Sequence, residues 1–554
     1  MTRPEKLGGA EKSVRKKRLA FCALYAVSGA IFALPLLFGR LWFIAWFAAC
    51  PVIYAEMHES FSDSHPYLKA WGRGMCFFLF YGFVTYYWFW ELYPLDFLNY
   101  GKAEALAVVL CAFIGLPAVQ GAVSSFFFVF ITAARRGGII QRHPVLFSFF
   151  ASSQWCVGEW IQTRTWAGVP WGRLAVGQVS YPPAVQSASL FGSYFVSFLI
   201  ILANAFLAGA VPNAKSGATR RRRGIMATLF LITVLSNFIF GNVRISLNNA
   251  DGKSVSVAAV QGNIPYEDKW SQTQYSLNVY KTLTEQAARE GGAELVLWPE
   301  TALPCDITQN SEAKDAVEKL SRECGADILY GAFQTDSDKK LYNAVLYASP
   351  DGDSESTSYR KRRLVPFGEY IPGEELVNAV FPFLAGLVDL ENPMYSGDSP
   401  EIFDINCKKV GCLICFDSVY EENCLESVRS GAQLICVSTN DSWFGSSAAL
   451  RQHNAHAALR AVENGRYVVR SANTGISSII SPYGEICESL GEGERGFIAG
   501  EVKMLSSTTL YTRIGNIPLL LCALFCTATA AAAGVNIYRA KKMRHRETTG
   551  KDKP

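Results

Sequence analysis

The chain divides by the way its apolar residues are spaced. Near both ends they form continuous runs of about 20 residues, the length that crosses a bilayer as a helix. Such runs lie at 19–38, 73–93, 104–133, 189–211, 224–241 and 516–538, with weaker ones at 41–56, which is short and contains Pro51, and 145–161, which carries Glu159. Between 242 and 515 the apolar residues come in short bursts instead: "SVSVAAV" (254–260), "ELVLW" (294–298), "DILYGAF" (327–333), "YNAVLYA" (342–348), "KVGCLIC" (409–415), "QLICVS" (433–438), "YVVRSA" (467–472), "ISSIIS" (476–481) and "GFIAGEV" (496–502). These read as strands. Stretches of helical spacing at 271–290, 311–323, 418–429 and 451–463 separate several of them. Strands alternating with helices predict a sheet covered by helices, with reactive groups gathered at strand ends.

Charge orients the membrane part. Basic clusters stand at 12–18 ("KSVRKKR"), 134–143 ("ARRGGIIQRH"), 220–223 ("RRRR") and 539–546 ("RAKKMRHR"). Basic residues favour the cytoplasmic side, and eight spans with a cytoplasmic N-terminus put all four clusters inside. The basic start and apolar core of 1–38 resemble a signal peptide, but no small-residue cleavage site follows, so a retained helix is expected. The expected organisation is a cytoplasmic basic N-terminus (1–18), a membrane domain of about seven spans (19–241), an outer domain (242–515), a last span (516–538) and a cytoplasmic basic tail (539–554).

Composition agrees. Half of the residues are apolar and only 18% are charged, against about 25% in soluble domains. A net charge of +4 offers little to nucleic acid. The outer domain would lie in an oxidising periplasm, yet its eight cysteines, at 305, 324, 407, 412, 415, 424, 436 and 487, have neither metal-site spacing nor the density of a small disulfide scaffold.

Three places in the outer domain carry chemistry. In "LVLWPETALP" (295–304) a strand ends at Trp298, and Glu300 stands just beyond Pro299. Partial desolvation there would raise its pKa toward that of a general base. In "YRKRRLVPFGEYIP" (359–372) four basic residues precede an apolar, turn-rich stretch, so part of the run must turn inward or meet lipid. Lys361 and Glu369 are the candidates, with Arg360, Arg362 and Arg363 left to the surface or to headgroups. The third is "KKVGCLICFD" (408–417). Cys412 falls within the apolar strand and reads as packing. Cys415 comes where the strand gives way to a helix, a setting that stabilises a thiolate.

In order, W-P-E, Y-x-K-x-x-L-V-P-F-G-E and L-I-C resemble the carbon–nitrogen hydrolase (nitrilase) superfamily, whose triad of Glu base, Lys and Cys nucleophile falls on Glu300, Lys361 and Cys415. "TNDSWFG" (439–445) and "RAVENGRYVVRSANTG" (460–475) are similar to other superfamily segments. Placed between membrane spans, such a domain resembles the apolipoprotein N-acyltransferase family, as do "VQGNIPYEDKW" (260–270) and "VPFGEYIP". The resemblance implies an α-β-β-α sandwich on a helical membrane bundle of about eight spans. It also implies transfer of an acyl chain from a phospholipid, through a cysteine thioester, to the N-terminal amine of a diacylglyceryl-cysteine lipoprotein. No metal or cofactor is called for, and a monomer in the bacterial inner membrane is expected. Glu369 becomes an accessory acid that orients Lys361, and Trp270 a residue at the substrate entrance. Aromatics in "VPFGEY" and "FPFL" (381–384) suit a lipid-facing arm, while Asn440 and His453 read as structural. The chain departs from the family pattern after the cysteine, with Phe416 and Asp417 in place of tyrosine and glutamate. The competing readings are a membrane-tethered amidase acting on a small soluble amide and a non-enzymatic membrane scaffold.

Overall fold

The computed structural model describes residues 4–550 except 59–63, 96–100, 165–167, 213–218, 249–250, 266–272, 353–356, 374, 376–378 and 380–392. Trp270 and the 381–384 segment of the expected arm lie outside the described residues.

Among the described residues, six helical runs are long and apolar enough to cross a membrane: Leu19–Leu37, Gly39–His58, Lys102–Arg136, Ser193–Ala210, Arg220–Leu247 and Ile517–Met543. The remaining two expected spans correspond to helices Pro66–Thr85 and Pro144–Ile161, which carry Lys69 and Arg73, and Gln154 and Glu159, respectively. Where the apolar run begins at 73, the helix begins seven residues earlier. Arg73 fits inside the bundle because its Nε lies 2.7 Å from buried Glu56 Oε1, which also accepts from Tyr25 Oη at 2.7 Å. The expected span at 73–93 is broken as well, since the helix stops at Thr85 and a 3-10 turn, Tyr87–Leu92, follows. On helix Arg220–Leu247, Leu231, Ile232, Leu235 and Ile239 are each 53–61% exposed. A contiguous apolar stripe of that kind is stable against lipid, not water.

The outer domain is built on two sheets. The first contains β1 (Lys253–Gln261), β2 (Leu295–Leu297), β3 (Leu303–Asp306), β4 (Asp327–Thr335), β5 (Leu341–Ala348) and β6 (Ser358–Arg360). The second contains β7 (Ile402–Ile405), β8 (Lys408–Ile414), β9 (Leu434–Thr439), β10 (Val468–Ala472), β11 (Ser477–Ile480) and β12 (Ile486–Leu490); β13 (Gly496–Met504) returns to the first. Their orders are β13-β1-β2-β4-β5-β6, with β3 beside β4, and β12-β11-β10-β9-β8-β7. β1, β2 and β4 run parallel, as do β8, β9 and β10.

Side chains alternate across each strand, and the two faces go to different cores. Val255, Val257, Ala259, Leu297 and Val345 of the first sheet meet Val410, Cys412, Ile414, Leu434 and Val469 of the second in one buried core. Ala258, Val260, Val296 and Trp298 turn the other way, under helices Thr273–Gly291 and Ser311–Cys324. Leu413, Ile435, Val437 and Val468 pack under helices Glu421–Arg429 and Ala448–Asn464. The outer domain is thus an α/β domain of two sheets sharing one core, with helices packed on their other faces. Cys412 faces Cys436 in register within the inter-sheet core, in the packing position its apolar neighbours imply.

Polar contacts join the sandwich to the membrane helices. Arg173 Nη2 lies 2.6 Å from Glu421 Oε2, and Tyr194 Oη donates to Glu421 Oε1 at 2.9 Å. Trp171 Nε1 donates to Gln452 Oε1 at 2.6 Å, and the Ser193 N–H to Glu463 Oε1 at 2.8 Å.

Candidate active site

Glu300 and Cys415 stand just past the carboxyl ends of parallel strands β2 and β8, where α/β sheets collect reactive groups. The turn carrying Glu300 lies against β4. A Cβ at Gly331 would come within 2.5 Å of the Pro299 carbonyl oxygen and 2.6 Å of the Thr301 nitrogen, so only glycine admits this approach. Lys361 immediately follows the short edge strand β6.

These segments bring the three predicted residues together with Glu369. Glu300 Oε1 accepts from Lys361 Nζ at 2.8 Å and from Asn343 Nδ2 at 2.8 Å. Its Oε2 accepts from the Asn440 N–H at 2.9 Å. Lys361 Nζ also donates to Glu369 Oε1 at 2.7 Å, and Glu369 Oε2 accepts from the Val365 N–H at 2.8 Å. Lys361 is 1% exposed and Glu300 5%, so the pair sits in a medium where charges act strongly. Burial opposes the Lys361 charge, but Glu300 and then Glu369 outweigh it and hold the ammonium well above its usual pKa.

Cys415 lies beside this group. Burial first, then the Glu300 charge, pushes its thiol well up, while Lys361 and a hydrogen bond with Thr439 act in the opposite direction. The sequence pattern points to a helix N-terminus that would favour a thiolate. The structure corrects this: a five-residue 3-10 turn, Cys415–Val419, intervenes, and the α-helix begins only at Glu421. Desolvation outweighs the Lys361 charge and favours the thiol form. Cys415 keeps 9% exposure where Cys412 has none. Its backbone is left-handed, with φ 49°, a conformation that is uncommon and strained outside glycine.

The two residues after Cys415 take different parts. Asp417 is fully buried. It accepts from Tyr359 Oη at 2.8 Å, the Ile414 N–H at 3.1 Å, the Arg362 N–H at 3.2 Å, the Arg363 N–H at 2.7 Å and Asn423 Nδ2 at 3.1 Å. One carboxylate thus ties the segment on both sides of Lys361 to the strand end that carries Cys415. Burial pushes its carboxyl up, against these donors and the Lys361 charge. Phe416 has no such partner. It packs with Val419, Tyr420 and Ala449 against Tyr86, Trp88 and Trp171 of the membrane domain. The arginines beside Lys361 find protein partners: Arg362 lies 2.5 Å from Glu426, Arg363 3.6 Å from Glu422, and Arg360 stacks 4.1 Å over the Tyr342 ring.

Asn343, Asp441 and Arg470 also belong to this neighbourhood, and sequence reasoning passed over them. The available signal was a polar residue inside an apolar strand, as in "YNAVLYA" and "YVVRSA", since such residues are buried only when paired. Cys415 Sγ, an Asp441 oxygen and a His453 ring nitrogen lie within 4.8 Å of one another, a spacing that could hold a metal ion. Asp441 is already engaged by His453 at 2.9 Å and by Arg470 at 2.6 Å, so two of these donors are turned on protein partners. A cavity of about 620 Å³ lies among the membrane helices. Phe78, Tyr81, Phe127, Trp155 and Ala530 line it, and Tyr86 belongs both to its wall and to the aromatic cluster around Phe416.

Comparison with known proteins agrees with this two-part architecture. Residues 28–206 match the Apolipoprotein N-acyltransferase N-terminal domain, and residues 256–510 match Carbon-nitrogen hydrolase. The apolipoprotein N-acyltransferase of Geobacter metallireducens is 32% identical over 68% of this chain and 72% of its own. The chain belongs to the apolipoprotein N-acyltransferase family. The Gloeobacter violaceus apolipoprotein N-acyltransferase is 30% identical over 81% of this chain and 84% of its own. Among solved structures, an amidase from Nesterenkonia sp. aligns at 20% identity with a TM-score of 0.36, covering 49% of this chain and 97% of that one.

Proposed function

We propose that this apolipoprotein N-acyltransferase family member moves an acyl chain from a membrane phospholipid to the N-terminal α-amine of a diacylglyceryl-cysteine lipoprotein, with Cys415 as carrier. The observation behind this reading is the buried Glu300–Lys361–Glu369 chain beside the Cys415 thiol, just past the end of β8. Glu300 takes the thiol proton as sulfur attacks the ester carbonyl. Lys361, held cationic between two carboxylates, faces the developing oxyanion. The carbonyl re-forms, the lysophospholipid alkoxide leaves with the proton from Glu300, and a thioester remains. The lipoprotein amine then attacks, Glu300 accepts its proton, and the amide forms with release of the Cys415 thiol. Burial keeps water from competing with the amine.

The same reading gives the chain eight spans, both termini in the cytoplasm and the sandwich on the periplasmic side of the inner membrane. Glu369 serves as the acid that steadies Lys361. Hydrolysis of a small soluble amide would leave the apolar helices and their cavity without a role. Incubation of the purified protein with phospholipid, followed by intact-protein mass spectrometry, tests the proposal. An added acyl mass that maps to Cys415 and is discharged by an amine-bearing lipopeptide is the expected result. A folded protein that never acquires the mass refutes it.

A further inference from the structure

His453 was read from sequence as structural, but it touches the candidate nucleophile's own backbone. Its Nε2 lies 3.2 Å from the Cys415 carbonyl oxygen, and its Nδ1 lies 2.9 Å from Asp441 Oδ1. The carbonyl can only accept, so Nε2 donates to it, while Nδ1 faces the Asp441 carboxylate and lies 3.1 Å from Arg470 Nη2. Asp441 is anchored in turn. Its Oδ1 also accepts from Thr439 Oγ1 at 3.1 Å, and its Oδ2 accepts from Arg470 Nη2 at 2.6 Å. Although burial opposes it, Arg470 and then His453 hold the Asp441 carboxyl well below the usual carboxylate range. His453, Asp441 and Arg470 are each at most 1% exposed, and a Cβ at Gly475 would collide with the Asp441 carboxylate. The network is closely fitted, and it ends on the carbonyl of the residue held in a left-handed conformation.

We propose that His453 is a positioning residue of the acyl-transfer centre: its ring, held by Asp441, clamps the Cys415 carbonyl through Nε2 and keeps the thiol aimed toward Glu300 and Lys361. Ser418 Oγ fills the carbonyl's other acceptor direction at 2.8 Å and lies 3.3 Å from His453 Nε2. With both lone pairs occupied, the Cys415 peptide is pinned in the strained conformation that a free chain would leave. Trp171, whose ring centre lies 5.3 Å from that of His453, links the clamp to the membrane domain. This role rests on Cys415 being the acyl carrier, so its test includes a reaction that needs no acyl donor.

Two substitutions separate the ring's two contacts. His453→Gln places an amide donor near the Nε2 position, and His453→Asn places one near Nδ1. Two rates at Cys415 are measured by peptide mass spectrometry on protein shown folded by thermal melt: acylation by phospholipid and alkylation by iodoacetamide. His453→Asn slows both by about tenfold, the upper scale of one lost hydrogen bond, while His453→Gln recovers most of each rate. Ser418→Ala, a smaller change that keeps the ring, slows both by about threefold, which provides a measurement should His453→Asn fail to fold. The phospholipid concentration at half-maximal acylation stays the same in all variants. Equal Gln and Asn rates, or no effect of Ser418→Ala, overturn the clamp. If wild type acquires no acyl group but the alkylation order holds, the acyl-transfer reading fails and the clamp stands.

Discussion

Asp417→Asn tests the idea that one buried carboxylate sets the distance between Lys361 and Cys415. The substitution keeps the shape and turns one oxygen into an NH2 group. At Oδ1 that group would face the N–H groups of Arg362 and Arg363 and the Asn423 amide. At Oδ2 it would face the Tyr359 hydroxyl, which can rotate to accept, and the Ile414 N–H, which cannot. The second orientation is cheaper and orphans one buried backbone donor, a cost of about 1–3 kcal/mol. Asp417→Ala orphans four donors, since Asn423 Nδ2 keeps the residue-417 carbonyl at 3.2 Å, and even at about 1 kcal/mol each it costs roughly 4 kcal/mol or more. At about 2–4 °C per kcal/mol, thermal melts in detergent should show Asn below wild type by several degrees and Ala by ten or more. The acylation rate should fall further than stability does, because slack in the 359–363 segment moves the Lys361 ammonium directly. Asp417→Glu retains the charge on a longer arm in a fully buried site, with an overpacking cost of about 1–3 kcal/mol, and should keep more activity than Asn. An Asn variant that melts and acylates like wild type would refute this role of Asp417.

Further outcomes follow from other contacts. Cys415→Ala should abolish the acyl adduct without lowering the melting temperature, whereas Cys412→Ala should keep the adduct and cost about 1 kcal/mol as a small core truncation; loss of the adduct in a folded Cys412→Ala protein would reverse the assignment. Glu369→Gln should lower the acylation rate with little change in phospholipid dependence, because it loosens Lys361 and not the lipid contact; a change confined to lipid affinity would contradict that. Glu421→Gln should destabilise by about 3–5 kcal/mol by leaving the Arg173 charge buried and unpaired, as read by thermal melts at neutral pH. Burial raises the Glu421 carboxyl, but Arg173 and then Arg460 outweigh it and bring it from an ordinary 4.5 to about 2. A depressed carboxyl stabilises the fold above its unfolded pKa and loses that effect as pH falls toward its folded one. The melting gap between wild type and Glu421→Gln should therefore hold from pH 7 to 5 and narrow below about 4.5; a constant gap down to pH 3 would show that the charge does not act.

Much of this protein was legible along the chain because it depends on local spacing. Apolar run length marked the helices, and short apolar bursts marked β1, β2, β4, β5, β8 to β11 and β13 to within a few residues. Glu300 and Cys415 stood out as candidates because each lies just past a strand, and Lys361 because its basic run meets an apolar, turn-rich stretch. What failed locally failed for tertiary reasons. Helix Pro66–Thr85 runs past its apolar segment because Glu56, in another helix, neutralises Arg73. The short strands β3, β6, β7 and β12 lack a period long enough to stand out, and their pairing with neighbours defines them. "KKVGCLICFD" marks Cys415 as the cysteine at the edge, but not that burial leaves it a thiol or that Asp417 grips the lysine segment. Nor could residues 441, 453 and 470 be assembled from the sequence, since a partner 12 to 29 residues away becomes a neighbour only when the strands pair. Which segments are helix, strand or lipid-facing was decided by the sequence through periodicity. Which charges meet, and which thiol they surround, was decided by the fold, because a buried charge is tolerated only where another chain segment brings its partner.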